Sequence, residues 1–307
     1  MTLSGDFEGE NLVTNETPHL FCFGLGYSAG VFAGACSAQG WRVSGTHRGL
    51  DGPDQPTKEG VNLYPFDRTT PFTESQVLED VTHVLVSVPP DGDGCPVADL
   101  LGADIAQLPN LTWLGYLSTT GVYGDTDGES VDENAPLNPS SDRSRFRVNA
   151  EKAWIKLWRG NDIPVHIFRL AGIYGPGRSP LDRVRSGNAT RTDKPGQLFS
   201  RIHVDDIATV LRASIDRPRP GGTYNVCDDD PASPADVVAY ACEILGAETP
   251  PLVAFEEAEK TMSPMALSFW RDNRRVDNTL IKKELSVRLA YPDYHRGLAA
   301  VLKVETS

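Results

Sequence analysis

The sequence predicts an α/β fold in which a doubly wound parallel sheet carries a small C-terminal lobe. From His19 onward, short apolar runs of strand type alternate with longer stretches of helical periodicity. Strands that are buried on both faces form continuous apolar runs, and helices between them produce the βαβ units of a parallel sheet. After Arg169 the alternation becomes irregular. This change indicates a smaller lobe added at the carboxyl edge of the sheet.

The individual elements follow from this alternation in chain order. The apolar run Leu20-Phe21-Cys22-Phe23 predicts the first buried strand. The helix predicted at 28–39 places Phe32 and Cys36 on one face and ends at Gly40, a residue suited to a left-handed cap. The remaining strands are predicted at 41–45, 61–64, 82–88, 111–117, 165–170, 198–204 and 223–226, and the remaining helices at 73–79, 97–108, 145–158, 205–214 and 235–245.

Three segments are expected along the chain. Residues 1–18 are polar and acidic with few large apolar side chains, so we expect a disordered tail. Residues 19–170 form the main domain with its parallel sheet. Residues 171–307 form a mixed segment that completes the sheet and builds the smaller lobe.

Composition restricts the partners and the location of the protein. The 307 residues carry a formal net charge of -13, which argues against binding to nucleic acid or to an anionic membrane. No apolar run approaches the roughly 20 residues that span a bilayer, and no signal-peptide pattern opens the chain, so we expect a cytoplasmic protein. The five cysteines are scattered without metal-ligand spacing, which predicts buried thiols and no metal site.

A glycine motif joins the first predicted strand to the first helix. Gly24-Leu25-Gly26-Tyr27-Ser28-Ala29 fits the pattern G-x-G-x-x-G/A, and Gly30 follows. The first glycine permits the tight turn, the second lets the backbone approach a pyrophosphate, and the small residue at 29 allows close packing of helix and strand. The helix N-terminus then offers N–H groups to phosphates. This context predicts a Rossmann dinucleotide site that includes Tyr27 and Ser28.

The end of the second strand indicates which dinucleotide is bound. A site that prefers NAD places Asp or Glu there to bond the ribose 2′-hydroxyl, whereas this chain has Thr46 and Arg48. Both residues are predicted to receive the 2′-phosphate of NADP(H), Arg48 by charge-assisted hydrogen bonds. NAD(H) stays possible if Arg48 is an ordinary loop residue. By position, Asp67 is expected near the adenine, and Ser87 and Pro89 near the nicotinamide ribose.

Three later segments, together with the glycine motif, resemble the extended short-chain dehydrogenase/reductase superfamily of NAD(P)-dependent epimerases and dehydratases. They are Leu117-Ser118-Thr119-Thr120-Gly121-Val122-Tyr123-Gly124, Arg169-Leu170-Ala171-Gly172-Ile173-Tyr174-Gly175-Pro176-Gly177 and His203-Val204-Asp205-Asp206. The resemblance runs from about His19 to Leu302. The plain G-x-G-x-x-A motif resembles the atypical branch of the superfamily.

The resemblance implies a catalytic group of Ser or Thr with Tyr-x-x-x-Lys. Thr119 matches the Ser/Thr position, with Ser118 and Thr120 beside it. Alignment of the following helix places Arg143 where the family has tyrosine and Arg147 where it has lysine. Arginine cannot donate and recover a proton near neutral pH as tyrosine does. Arg147 is expected to replace lysine at the nicotinamide ribose.

Other residues able to transfer a proton receive structural interpretations. Tyr123 and Tyr174 stand in family motifs where an aromatic side chain is expected for packing. His203 begins a helix-entry motif, so it is expected to cap that helix.

A basic stretch suggests the charge of the substrate. Between Arg143 and Arg201 the chain has thirteen Lys or Arg residues against four Asp or Glu. A positive cleft in an acidic protein attracts an anionic ligand such as a phosphorylated or nucleotide-linked sugar. The candidate substrate-binding residues are Arg143, Arg178, Arg191 and Arg201. Alternatively, the stretch is a solvated basic face or its charges are occupied locally.

Two hypotheses for the function follow. In the first, the protein is an oxidoreductase or epimerase of atypical short-chain dehydrogenase type that acts on a small anionic substrate. In the second, it is a non-catalytic NADP(H)-binding sensor or scaffold. The loss of tyrosine favours the second, whereas the Ser/Thr segment and the basic stretch favour the first. A homodimer is possible in either case.

Overall fold

The computed structural model describes residues 17–49 and 61–306. The tail predicted at 1–18 therefore lies outside the described residues, apart from Thr17 and Pro18. Within the described ranges no helix is long and apolar enough to cross a membrane. All five cysteines are buried, as predicted.

The strands, in chain order, are β1 (His19–Phe23), β2 (Arg42–His47), β3 (Asn62–Pro65), β4 (His83–Val86), β5 (Trp113–Thr119), β6 (Ser130–Val131), β7 (Val165–Leu170), β8 (Gly172–Tyr174), β9 (Arg191–Asp193), β10 (Arg201–His203), β11 (Thr223–Val226), β12 (Leu252–Ala254) and β13 (Arg275–Val276). The α-helices are α1 (Tyr27–Ala38), α2 (Pro96–Ile105), α3 (Asp142–Asn161), α4 (Pro180–Arg185), α5 (Val204–Asp216), α6 (Pro234–Leu245), α7 (Phe255–Ala258), α8 (Pro264–Trp270), α9 (Thr279–Glu284) and α10 (Tyr294–Glu305). Short 3₁₀ helices lie at Ser75–Leu78, Thr120–Tyr123 and Glu259–Thr261.

The central sheet confirms the predicted fold class. Its seven strands have the order β11-β7-β5-β4-β1-β2-β3, and each neighbouring pair is parallel. The chain runs from β1 outward to β3 and then crosses back to β4 on the other side of β1. This gives the doubly wound arrangement, in which ligands bind outside the carboxyl ends of the strands. Strand β11 comes from the C-terminal part of the chain and forms the edge of the sheet.

Helices cover both faces of this sheet and bury two apolar layers. On one face α1 and α5 pack together, and Phe32 and Leu211 are buried in the layer between these helices and the strands. On the other face α2 and α3 contribute Leu101 and Trp154. Because the sheet is covered on both sides, strands such as β1 and β4 consist mainly of buried apolar residues, which is why they were predictable from the sequence.

Several predicted boundaries shift for local reasons. Helix α3 begins at Asp142, three residues before the predicted start, because the Ser141 hydroxyl accepts a hydrogen bond from the Ser144 N–H (3.2 Å) and caps the helix. The helix predicted at 73–79 is wrong in type, since only the 3₁₀ turn Ser75–Leu78 forms there and no side chain caps it. Gly40 has φ +84° and follows α1 in the left-handed conformation, as predicted.

The C-terminal part of the chain builds a separate apolar cluster. Leu181 of α4, Val237 of α6 and Leu298 of α10 are buried in it. Two small parallel sheets, β8 with β10 and β9 with β12, join these helices to the sheet region. The strand predicted at 198–204 is shorter than expected, and β10 pairs with β8 outside the central sheet.

A buried ion pair connects helix α3 to the sheet. The guanidinium of Arg169 on β7 donates to both carboxylate oxygens of Glu151 on α3, at 2.8 and 3.2 Å. The Ser118 hydroxyl on β5 donates to the same carboxylate (2.5 Å). Arg169 also donates to the Tyr123 hydroxyl (2.8 Å), which in turn donates to Asn225 on β11 (2.6 Å). Three neighbouring strands and α3 therefore share one polar network.

The network continues to the edge of the sheet. The Asn225 N–H donates to a carboxylate oxygen of Glu133 at 2.7 Å, and the Glu133 carbonyl accepts from Arg169 at 3.2 Å. Burial is the largest influence on Glu133 and raises the pKa of its carboxyl group.

We expect Glu151→Gln to lower the free energy of unfolding by about 3–5 kcal/mol, because it leaves the buried Arg169 charge without its counter-charge. The measurement is urea denaturation followed by circular dichroism. Lys152→Gln, at the neighbouring exposed position, is the control and should change little. An equal, small loss in both variants would show that the ion pair contributes nothing to stability.

A second buried carboxyl group lies where the lobe meets the sheet. Asp228 follows β11, its side chain is 2% exposed, and its Oδ2 atom has no hydrogen-bond partner in the described part of the chain. Burial raises the pKa of Asp228 to about 8, although the nearby Arg201 guanidinium acts in the opposite direction. The folded protein therefore holds this carboxyl group protonated where an unfolded chain ionises it.

The stability contributed by protonated Asp228 is complete below about pH 4, the ordinary pKa of aspartate, and is lost as the pH rises through about 8. Asp228→Asn stays neutral throughout. We therefore expect its free energy of unfolding, relative to wild type, to rise between pH 5 and 8 by at least about 1.4 kcal/mol, the equivalent of one pKa unit. Thermal melts across this pH range measure the difference. Asp104→Asn on the exposed side of α2 is the control, and a pH-independent difference would contradict the assignment.

Candidate functional site

The glycine turn lies at the carboxyl end of β1, in the centre of the sheet. Gly24 has φ +84°, and a Cβ there would lie 3.0 Å from Ser87 Oγ and 3.1 Å from the Val88 nitrogen. The Gly24 N–H donates to the Thr46 hydroxyl (2.9 Å), and its carbonyl accepts from the Ser87 hydroxyl. The turn therefore requires glycine at 24 and is held by hydroxyls from the ends of β2 and β4.

The second glycine leaves the start of α1 open. Gly26 occupies the N-cap position, no side chain caps the helix, and a Cβ at Gly26 would meet nothing within 4 Å. The first turn of α1 contains no acidic residue. The N–H groups at this helix end and its positive dipole therefore face an open space, which is the arrangement that binds phosphates.

The two residues predicted to bind the 2′-phosphate are placed differently. Thr46 is 1% exposed, and its hydroxyl accepts a hydrogen bond from the Gly24 N–H inside the turn. Arg48 is exposed directly after β2, and its side chain makes no hydrogen bond or ion pair within the described ranges. The next residues along the chain, 50–60, lie outside those ranges.

The loop after β3 is ordered by its own hydrogen bonds. One carboxylate oxygen of Asp67 accepts from the Thr69 N–H and hydroxyl (both 2.7 Å) and from the Thr70 N–H (2.8 Å). The hydrogen bond from the Thr69 hydroxyl is the main cause of a lowered pKa for the Asp67 carboxyl group. The same loop carries Arg68, which bonds Asp91 (2.7 Å) and Asp99 (2.8 Å) and so joins the loops after β3 and β4. Sequence reasoning missed this connection, because nothing in the pattern pairs Arg68 with those carboxylates.

The loop after β4 supplies Ser87 and Pro89. The Ser87 side chain is turned towards the glycine turn and donates to the Gly24 carbonyl. Pro89 is exposed two residues later. Both residues lie at the same end of the sheet as Gly24, as expected from their positions after neighbouring parallel strands.

The three candidate hydroxyls at the end of β5 have three different environments. Ser118 is buried and donates to Glu151, so it belongs to the network beneath the cleft. The Thr119 hydroxyl accepts from the Gly121 N–H at 3.1 Å, which leaves its own hydrogen free to donate. Thr120 is 6% exposed, and its hydroxyl makes no hydrogen bond in the described part of the chain. The structure therefore favours Thr119 and Thr120 over Ser118 as groups that could bond a ligand.

Helix α3 presents Arg143 and Arg147 one turn apart. Arg147 donates to the Leu117 carbonyl at 2.6 Å and to the Tyr116 hydroxyl at 3.3 Å, so it is held against the end of β5. Arg143 is exposed at the start of the helix, and its guanidinium carbon lies 5.4 Å from the centre of the Phe269 ring. Phe269 is 54% exposed on α8, so this contact bridges the main domain and the lobe.

The four arginines assigned to the substrate are not brought together. Arg191 donates to the carbonyls of Ala235 and Pro250, within the lobe. Arg201 donates to the carbonyls of Phe199 and Ala232, and its burial lowers the pKa of its guanidinium. Arg178 lies beside Tyr27 at the start of α1. Arg191 and Arg201 thus bond carbonyls of the lobe, whereas Arg143 and Arg178 make no hydrogen bond or ion pair with the described residues.

The other residues able to transfer a proton have structural roles. Burial raises the pKa of Tyr123 to about 12, and its hydroxyl is engaged by Arg169 and Asn225. Burial also raises the pKa of Tyr174. His203 accepts from the Asp205 N–H (3.2 Å) and caps α5, as predicted. The burial of its ring lowers its pKa, so it stays neutral near pH 7.

Comparison with known proteins agrees with this geometry. The model of the NAD dependent epimerase/dehydratase family matches residues 104–227. Protein YeeZ of Escherichia coli (strain K12) is 27% identical over 284 residues, which cover 88% of this chain and 95% of that protein. A functionally unknown conserved protein from Silicibacter pomeroyi DSS is 48% identical, with a TM-score of 0.86 over 94% of this chain and 99% of the other.

An enzyme shares the fold at lower identity. The dTDP-glucose 4,6-dehydratase from Bacillus anthracis, solved in complex with NAD, is 17% identical, with a TM-score of 0.75 over 94% of this chain and 96% of the other. The fold and the glycine turn are those of a Rossmann protein. The chain is similar to the NAD dependent epimerase/dehydratase family over residues 104–227 and shares the fold of these solved structures.

Proposed function

We propose that this protein binds NADP(H) and acts on an anionic, sugar-like substrate as an atypical reductase or epimerase without the Tyr-x-x-x-Lys pair. The observation that carries the proposal is the combination of an open helix start at Gly26 with Arg48, a cation after β2 that has no partner among the described residues. Relatives that bind NAD or act on nucleotide-linked sugars support the class of ligand.

The residues at the glycine turn fit a dinucleotide. The space above Gly26 admits a pyrophosphate, whose charge the uncapped start of α1 stabilises. Because Thr46 is occupied inside the turn, Arg48 is the residue left to bond a ribose phosphate at the end of β2. Its guanidinium recognises phosphate through paired charge-assisted hydrogen bonds. Asp67, Ser87 and Pro89 complete the adenine and ribose walls of the proposed site, with Arg68 fixing the separation of the two loops.

The chain's own residues bind and orient the substrate and the nicotinamide end of the cofactor. NADP(H), when bound, supplies or accepts a hydride at the nicotinamide ring. Thr119 and Thr120 donate hydrogen bonds to the substrate oxygen whose charge changes in the reaction. Arg147, held at the end of β5, orients the nicotinamide ribose, and Arg143 binds an anionic group of the substrate. No proton is exchanged at Arg143, because a guanidinium stays charged near neutral pH.

Two substitutions test the cofactor assignment by calorimetric titration. Arg48→Ala should weaken NADPH binding by about 10- to 100-fold and leave NADH unchanged, since it removes only the charge-assisted bonds to the 2′-phosphate. Gly26→Ala should weaken both dinucleotides, because its methyl group occupies the open space, while the melting temperature stays constant.

Arg288→Ala, which removes an exposed arginine without a partner in the described residues, is the control for charge alone. Failure of wild-type protein to bind NADPH and NADH would overturn the proposal. Equal losses for NADPH and NADH in Arg48→Ala would refute the preference for NADP(H).

Catalysis is tested by NADPH oxidation at 340 nm across a panel of carbonyl compounds and nucleotide-linked sugars. For a substrate that is turned over, Thr119→Val should lower kcat by about 100-fold and leave NADPH binding intact. The loss of one hydrogen-bond donor to a developing oxyanion has an effect of about this size. Thr120→Val distinguishes the contribution of the neighbouring hydroxyl. Binding without turnover of any compound would instead support a sensor or scaffold.

A further inference from the structure

A tight turn of the lobe rests directly on the glycine turn. Gly175 and Arg178 exchange backbone hydrogen bonds at 3.1 and 3.0 Å, with Pro176 and Gly177 between them. Gly177 has φ +69°, which together with the preceding proline is typical of a type II turn. Proline restricts the backbone, so this turn presents the Arg178 side chain from a nearly rigid base.

Hydrogen bonds from two sides hold this turn in place. The Tyr27 hydroxyl, at the first residue of α1, donates to the Pro176 carbonyl at 3.1 Å. From the other side, the Gly177 N–H donates to the Glu305 carboxylate at the end of α10 (3.2 Å). A Cβ at Gly175 would lie 2.5 Å from the Tyr27 hydroxyl oxygen, so the two turns are in direct contact.

Arg178 is a cation at this junction whose guanidinium has no ionic partner among the described residues. Its guanidinium carbon lies 5.6 Å from the centre of the Tyr27 ring, and the side chain is exposed. It makes no hydrogen bond or ion pair with any described residue, although acidic groups lie nearby. Asp182 caps α4 through Ser179, Glu305 binds Arg185, and Asp205 is exposed beside His203 at 3.6 Å. Asp182 and Glu305 thus have partners of their own, and the Arg178 guanidinium lies beside the first residue of α1 without an ionic partner among the described residues.

We propose that Arg178 binds the diphosphate bridge of the dinucleotide from the lobe side, opposite the N–H groups of α1. This assignment rests on the proposed function and replaces the expectation that Arg178 binds the substrate. Tyr27 is the positioning residue, since its ring supports the guanidinium and its hydroxyl holds the turn. Cofactor binding then draws the lobe and the main domain together through one side chain.

The test compares three ligands by calorimetric titration. NADPH and ADP-ribose contain the diphosphate bridge, whereas adenosine 2′-monophosphate does not. We expect Arg178→Ala to weaken NADPH and ADP-ribose about tenfold and to leave adenosine 2′-monophosphate unchanged. The salt dependence of ADP-ribose binding should also become shallower. Arg183→Ala, an exposed arginine on the adjoining helix α4, is the matched control.

A second variant separates positioning from charge. Tyr27→Phe keeps the ring beneath Arg178 and removes only the bond to Pro176, so it should weaken ADP-ribose about two- to fivefold. If wild-type protein binds NADPH but Arg178→Ala binds all three ligands normally, the inference is overturned. It is also overturned if Arg178→Ala changes only the KM of a substrate. Absence of NADPH and NADH binding to wild type would instead refute the proposed function.

Discussion

The bidentate contact between Arg169 and Glu151 is the interaction on which the architecture of the cleft depends. Both charges are removed from water, so each requires the other and the hydroxyls around them. Through Ser118 and Tyr123 the pair connects the ends of β5, β7 and β11 to α3. These are the elements that carry Thr119, Arg143 and Arg147. Substrate-side residues on strand and helix therefore share one rigid support beneath them.

The polar groups around the cleft fall into two sets. The hydroxyls of Thr46 and Ser87 form hydrogen bonds within the glycine turn, and the Ser118 hydroxyl bonds Glu151 on α3. Arg48, Arg178 and Thr120 have side chains without such partners among the described residues. A group already satisfied within the protein gains little from a ligand, whereas an unpaired one gains a full hydrogen bond. Residue type alone does not separate these two sets.

The sheet and its covering helices could be predicted from the sequence because their signals are local. Continuous apolar runs marked strands such as Val165–Leu170 and Thr223–Val226, whose bounds match the structure. The glycine motif was likewise recognisable from local sequence, because it lies between the first predicted strand and the first predicted helix. The contacts of Arg191 and Arg201 within the lobe could not be predicted, because all their carbonyl partners except Phe199 are 31 to 59 residues away. A positive charge in the sequence does not show which loop the side chain will bond.

Glu133 has a consequence for how this molecule meets its neighbours. Strand β11 is the edge of the central sheet, and an edge strand offers backbone N–H groups to which a strand of another chain can add. The Glu133 carboxylate occupies the Asn225 N–H, in the middle of that short edge. The same partly buried carboxylate repels the carbonyl oxygen of an approaching strand. The side chain that closes the internal network thus also satisfies a backbone donor of the edge strand, which is then not offered to a strand of another chain.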